Sequence, residues 1–308
     1  KNNDFFFTKN NISVIENIED IPNKSCILYI KRGCRVITKI LNAIKNKDYL
    51  YILILGKKDM IFNYKENIIP NNIVNMYCNS LNYTHPIVKF IPMGGDYNFK
   101  DHHLIKKQEK NILCYCNYAL STHRDRQYIY HSIKDIKFIK FEGMSKAFNK
   151  NSIPRSTFYK RLLGSKFVIC PRGNSLDTHR FYDTIYSGAI PIVVYEHPYS
   201  QKIFSDIPIL FLKNIKNFKY LTEEYLENKY IELSKKKKTY YHGLDLNWWV
   251  EGMKINLEKI TNKQETSIEI KRRREEKERI RKERQDKKDV FNKAVDYIKA
   301  FIFNEQEK

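Results

Sequence analysis

The residues best suited to chemistry are concentrated in Ser165–Val194, SKFVICPRGNSLDTHRFYDTIYSGAIPIVV. An apolar run, Phe167–Cys170, stops at Pro171 and opens into the short loop Arg172-Gly173-Asn174-Ser175. Asp177 stands where an N-cap belongs, and a helix is expected over Thr178–Ser187, ended by Gly188. The start of such a helix carries free N–H groups and a partial positive charge, which suit a phosphate. Gly173 would let a ligand approach the backbone closely. Arg172 and Arg180 flank the same spot and could grip a diphosphate. His179 and Asp183 are four residues apart and share one helix face, where a carboxylate can accept hydrogen bonds from a ribose diol. Taken alone, the stretch reads equally well as a plain strand–turn–helix with a capping Asp and a surface His.

Such a loop must be carried by a sheet, and the flanking sequence supplies one. Apolar runs at Cys26–Lys31, Tyr49–Leu55, Ile73–Tyr77 and Val88–Ile91 read as strands. Between the first two, apolar residues at 36, 37, 40, 41 and 44 give a helical period. The alternation restarts near residue 110. Strands are expected at Asn111–Cys116, Ile136–Phe141, Lys166–Cys170, Ile190–Tyr195 and Ile207–Leu212, and helices at His123–Ile133, Ser156–Leu163 and Thr178–Ser187. Strands alternating with helices predict parallel sheets covered on both faces. The expected fold is α/β, with two doubly wound units, 1–105 and 106–262, facing a cleft. Ligands of such sheets bind at the carboxyl ends of the strands.

Three ordered segments resemble the exostosin-like glycosyltransferases. Cys170-Pro171-Arg172-Gly173-Asn174, Asp177, His179-Arg180, Gly188 and Ile190-Pro191-Ile192 follow that family's CPRGxGxDxHRxxExxxxGxIPI-type pattern. Asn82, His85-Pro86, Lys89, Ile91-Pro92 and Gly94 resemble its HPKxxPIPIG-type segment. Asn117, Ser121, Thr122, Arg124 and Arg126 resemble a segment lying between the two. The resemblance covers about residues 50–215. Ser175 replaces the family's second glycine, and Asp183 replaces its helical Glu.

The resemblance implies the GT-B architecture and an inverting transfer from a nucleotide sugar, a UDP-sugar by expectation, to a glycan, glycoprotein or other hydroxyl acceptor. The donor would meet Arg172, Gly173, Asn174, Asp177, Thr178, His179, Arg180 and Asp183, with Asn117, Arg124 and Arg126 across the neighbouring loop. Inversion needs a base to deprotonate the acceptor. Asp96, just after Gly94-Gly95, is the first candidate and His85 the second, although Asp96 also suits a turn and His85 a structural role. The chain contains no Asp-x-Asp pair, so neither a metal nor another cofactor is expected and arginines would neutralise the leaving group. A degenerate module that binds nucleotide sugar or glycan without catalysis is the alternative.

Composition narrows the remaining classes. The 308 residues carry 56 Lys and Arg against 35 Asp and Glu, for a net charge of +21. That basicity invites a nucleic-acid reading. It also fits a sequence rich in Lys, Asn, Ile, Tyr and Phe with its charge on a solvated surface, and no specific nucleic-acid partner is expected. The longest apolar run, Tyr49–Leu55, is far shorter than the roughly 20 residues of a spanning helix. Six cysteines without a C-x-x-C pair read as buried free thiols in a reducing, cytoplasmic compartment. The first residue is Lys1, not Met, which fits a piece of a longer polypeptide with an anchor or signal upstream. Residues 263–308 form a tail apart. Lys271–Asp289 holds 11 basic and 6 acidic residues and suits an exposed helix. Phe291, Ala294, Val295, Ile298, Phe301 and Ile302 then form an apolar stripe suited to packing on this chain or to self-association.

Overall fold

The computed structural model describes residues 2–31, 34–56, 69–79, 81, 85–95, 108–142, 153–194, 204–236, 241–262 and 275–289. Asn82, Asp96 and the Phe291–Ile302 stripe lie outside them.

Two five-stranded parallel sheets carry the molecule, as the α/β alternation predicts. The first contains β1 (Ser13–Ile15), β2 (Cys26–Ile30), β3 (Tyr51–Leu55), β4 (Ile73–Cys78) and β5 (Val88–Phe90), side by side in chain order. Helix α1 (Asn2–Lys9) precedes it, and α2 (Cys34–Ile44) crosses from β2 to β3. Every residue of β2 and β3 is buried, as expected for strands covered on both faces.

The second sheet contains β6 (Ile112–Cys116), β7 (Ile139–Phe141), β8 (Ser165–Ile169), β9 (Ile190–Val193) and β10 (Leu210–Phe211), in the order β10-β9-β8-β6-β7. Helices α3 (Arg124–Ile133), α4 (Arg155–Leu163) and α5 (His179–Tyr186) connect its strands, and α6 (Glu223–Ser234) follows β10. The chain leaves β6 in one direction to form β7 and then returns to the other side of β6 to form β8. The strand order therefore reverses between β6 and β8, where loops diverge and leave a crevice.

The two halves share one core. Leu28, Ile30, Leu53 and Leu55 of the first sheet lie in the same buried cluster as Tyr115, Val168, Phe181 and Tyr182 of the second half. Phe204 packs 5.8 Å from both Phe90 and Phe181 and bridges them. Helix α7 (Leu246–Asn262) returns to the first half. Its Val250 and Met253 are buried with Ile27, Ile52, Ile54 and Tyr77 on the opposite face of the first sheet. By packing, α7 covers the amino-terminal sheet, although the sequence boundary groups it with the second unit.

Among the described residues, Cys26, Cys78, Cys114, Cys116 and Cys170 are free and buried. No helix among them is long and apolar enough to cross a membrane. Residues 275–289 are helical and exposed.

Candidate functional site

The loops leaving β6 and β8 meet at the point where the strand order reverses. Arg126, on the first turn of α3, donates from Nε to the Arg172 carbonyl at 2.7 Å and from Nη1 to the Ala119 carbonyl at 3.2 Å. A Cβ on Gly173 would lie 3.3 Å from Arg126 Nη2 and 3.4 Å from Thr122 Cγ2, so glycine is what lets the two loops close on each other. Ser175 is buried and lies outside the left-handed backbone region, so the loop does not need the family's second glycine there. Arg172 folds along its own loop toward the carbonyls of Gly173 (3.3 Å) and Asn174 (3.4 Å). Asn174 is exposed at the tip.

Helix α5 begins one residue later than its sequence suggests. Thr178, in extended conformation, is the N-cap, and His179 is the first helical residue. Asp177, expected to cap, is 1% exposed and reaches across to the other half instead. Its Oδ2 accepts from the Met93 backbone N–H at 2.8 Å and from the Tyr182 hydroxyl at 2.9 Å. A carboxylate can satisfy a strand-end amide of another domain at this distance, whereas a cap satisfies only its own helix.

Arg180 is the centre of the site. Its guanidinium lies 4.1 Å from the centroid of the Phe158 ring and donates from Nη2 to Asn117 Oδ1 at 3.2 Å. Asn117 is itself held by donation from Nδ2 to the Glu142 carbonyl at 2.7 Å. The other terminal nitrogen, Arg180 Nη1, is buried with no hydrogen-bond partner among the described residues, as are Tyr115 Oη and Thr122 Oγ1. Burial, and next the positive charge of Arg180, push the Arg126 guanidinium down to about 10, so it stays a cation at neutral pH. Two guanidinium groups are thus held close enough to repel, and one keeps an unmet donor. Such an arrangement is built for an anion.

The remaining expected residues fall elsewhere. Arg124 points outward with its side chain 94% exposed. Asp183 is buried at the seam with the other half, and a Cβ on Gly95 would lie 2.7 Å from its Oδ1. His179 is exposed, and its Nδ1 lies 2.7 Å from the Gly94 carbonyl. The shared helix face of His179 and Asp183 therefore faces the Met93–Gly95 segment. His85 accepts at Nδ1 from the backbone N–H groups of Ile87 (3.1 Å) and Val88 (3.0 Å). Burial, followed by the charges of Lys277 and Arg284, lowers its pKa. A neutral ring whose Nδ1 is an acceptor carries its hydrogen on Nε2, so His85 is a turn residue with no lone pair left to take a proton. Phe158, Tyr115 and Glu142 were invisible as site residues, because nothing in their local sequence marks them and only the packing of α4 and β6–β7 brings them to Arg180.

The fold and the loops define a doubly wound α/β protein with two clustered arginines, Arg126 and Arg180, at its topological switch point. Residues 56–206, just under half of the chain, match the model of the Exostosin GT47 domain, a glycosyltransferase family. The matched region contains both loops and α5. Solved structures that match include two glycosyltransferases. One is an alpha1,3-fucosyltransferase, with a TM-score of 0.44 and 14% identity over 75% of this chain and 78% of that one. The other is the pneumococcal O-GlcNAc transferase GtfA in complex with UDP and GlcNAc, with a TM-score of 0.35 and 10% identity. That match covers 84% of this chain but only 58% of the other. No curated protein matches the chain.

Proposed function

We propose that this glycosyltransferase domain uses a nucleoside-diphosphate sugar, a UDP-sugar in particular, and transfers the sugar to a glycan or other hydroxyl with inversion and without a metal. The observation that carries the reading is the Arg126–Arg180 pair with the unmet donor of Arg180. The diphosphate would lie between these guanidinium groups and the first turn of α5, with Arg172 closing over it. As the bond to the sugar breaks, negative charge grows on the bridging phosphate oxygen. Fixed cations stabilise that charge without the reorganisation that water would need. Asn117 and Phe158 keep Arg180 aimed, because one holds Nη2 and the other the guanidinium face.

Calorimetry of UDP in excess chelator tests this reading. Binding is expected to persist, and to weaken when Arg126 or Arg180 is replaced by Ala. Binding that needs added manganese would overturn the metal-independent mode. A second reading, a binding module without turnover, is favoured by the placement of Asp183 in the seam. It predicts UDP binding with no release of UDP from any UDP-sugar.

A further inference from the structure

We propose that His179 is the general base of this site, taking the proton of the attacking hydroxyl on Nε2. This rests on the glycosyl-transfer reading above. A carbonyl oxygen only accepts, so Nδ1, 2.7 Å from the Gly94 carbonyl, carries the hydrogen. The neutral ring then has its lone pair on Nε2, and the ring is exposed. His85 and His123 have the opposite arrangement. Nδ1 accepts from Ile87 and Val88 in one and from Asp125 in the other, which leaves a hydrogen on Nε2. Gly94 is in the left-handed region at φ 76°, a conformation that glycine holds without strain, and from it the carbonyl meets His179.

The position on α5 suits the role. Successive helical residues point about 100° apart. Arg180 faces Asn117 and Phe158, where the leaving diphosphate is proposed. His179 faces Gly94 of the other half, where an acceptor would enter. An inverting displacement needs its base and its leaving-group cation on opposite sides of the anomeric carbon. In the step, the acceptor O–H proton passes to Nε2 while the acceptor oxygen bonds to the anomeric carbon. The bond from that carbon to the diphosphate oxygen breaks, and its electron pair leaves on the diphosphate. The imidazolium then returns its proton to water.

The test compares the parent with His179→Asn and His179→Ala. The probe is whichever of UDP-glucose, UDP-galactose, UDP-GlcNAc, UDP-glucuronate and UDP-xylose most raises the parent melting temperature, and UDP release is measured with water or methyl glycosides as acceptor. Asn places an amide N–H where Nδ1 stood, so it keeps the bond to Gly94 but offers no base. His179→Asn should melt and bind UDP like the parent while releasing UDP at least about 100-fold more slowly. Added imidazole should restore part of the rate of His179→Ala, which a purely structural role would not allow. If His179→Asn turns over within about threefold of the parent, His179 only clasps the two halves and the proposal falls. If Asp96→Asn alone abolishes turnover while His179→Asn retains it, the base is Asp96. A parent that neither binds UDP nor releases it from any of the five sugars sinks the glycosyl-transfer reading itself.

Discussion

Arg180 and Asp183 lie one turn apart on α5 yet meet different surroundings, and their substitutions should fail in different ways. Arg180 is half-buried in the loop cluster with an unmet donor, whereas Asp183 is buried against Gly95. Arg180→Ala should leave the melting temperature near the parent value and lower the rate of UDP release on the order of 100-fold, as expected for the loss of a fixed group that meets developing charge. Asp183→Ala should act first on stability, by about 1–3 kcal/mol, because it empties a buried polar position at the seam. Thermal melting of the two variants, followed by kinetics, checks both. A raised donor KM with an unchanged melting temperature in Asp183→Ala would restore the ribose role that its spacing first suggested.

At the scale of elements, α5 is the piece that joins the halves. Its Asp177 lead-in and its His179 hold the backbone of Met93 and Gly94, and Arg180 points back into its own domain. The charged helix at 275–289 has a different part. It carries no group of the site, but the charges of Lys277 and Arg284 reach His85 and help lower its pKa. Removing residues 265–308 should therefore leave UDP release close to the parent rate. The same cut should raise the His85 pKa toward the ordinary value, because two nearby cations that disfavour the imidazolium are gone. A proton NMR titration of the His85 ring, compared between the full and shortened chains, reads this directly. An unchanged His85 titration would show that the helix is not held there.

For the whole molecule, the return of α7 makes the amino-terminal half depend on the end of the chain. Val250 and Met253 are buried on a face of the first sheet that α7 covers. Fully burying each such side chain stabilises by roughly 2 kcal/mol, so losing α7 is comparable with a large part of a domain's net stability. A chain cut after residue 236 should melt far lower than the parent or fail to fold, whereas one cut at 265 should not. Denaturation midpoints of the two shortened chains decide the matter.

How much was legible in the sequence varied with the range of the interaction responsible. Strands β2–β10 and helices α2–α5 were visible because apolar period and turn residues are local signals. Gly188, at φ 70°, ends α5 where its sequence says it should. That Arg172, Gly173 and Arg180 share one strand–loop–helix segment was legible for the same reason, since the three are close along the chain. Helix α1 and strand β1 went unread because one has almost no amphipathic pattern and the other only three residues, Ser13–Ile15. Tertiary structure alone decided the rest. Asp177 became a clasp because Met93, 84 residues away, brings its backbone N–H to the same carboxylate oxygen that accepts from Tyr182 of α5. His85 lost its candidacy to two backbone amides of its own turn, a hydrogen-bonding choice that residue type does not reveal. Phe158, Asn117 and Arg180 became a unit only when α4 and β6 packed beside α5. Spacing along the chain fixes which residues share an element, but the orientation of a side chain between elements depends on contacts across long sequence separations.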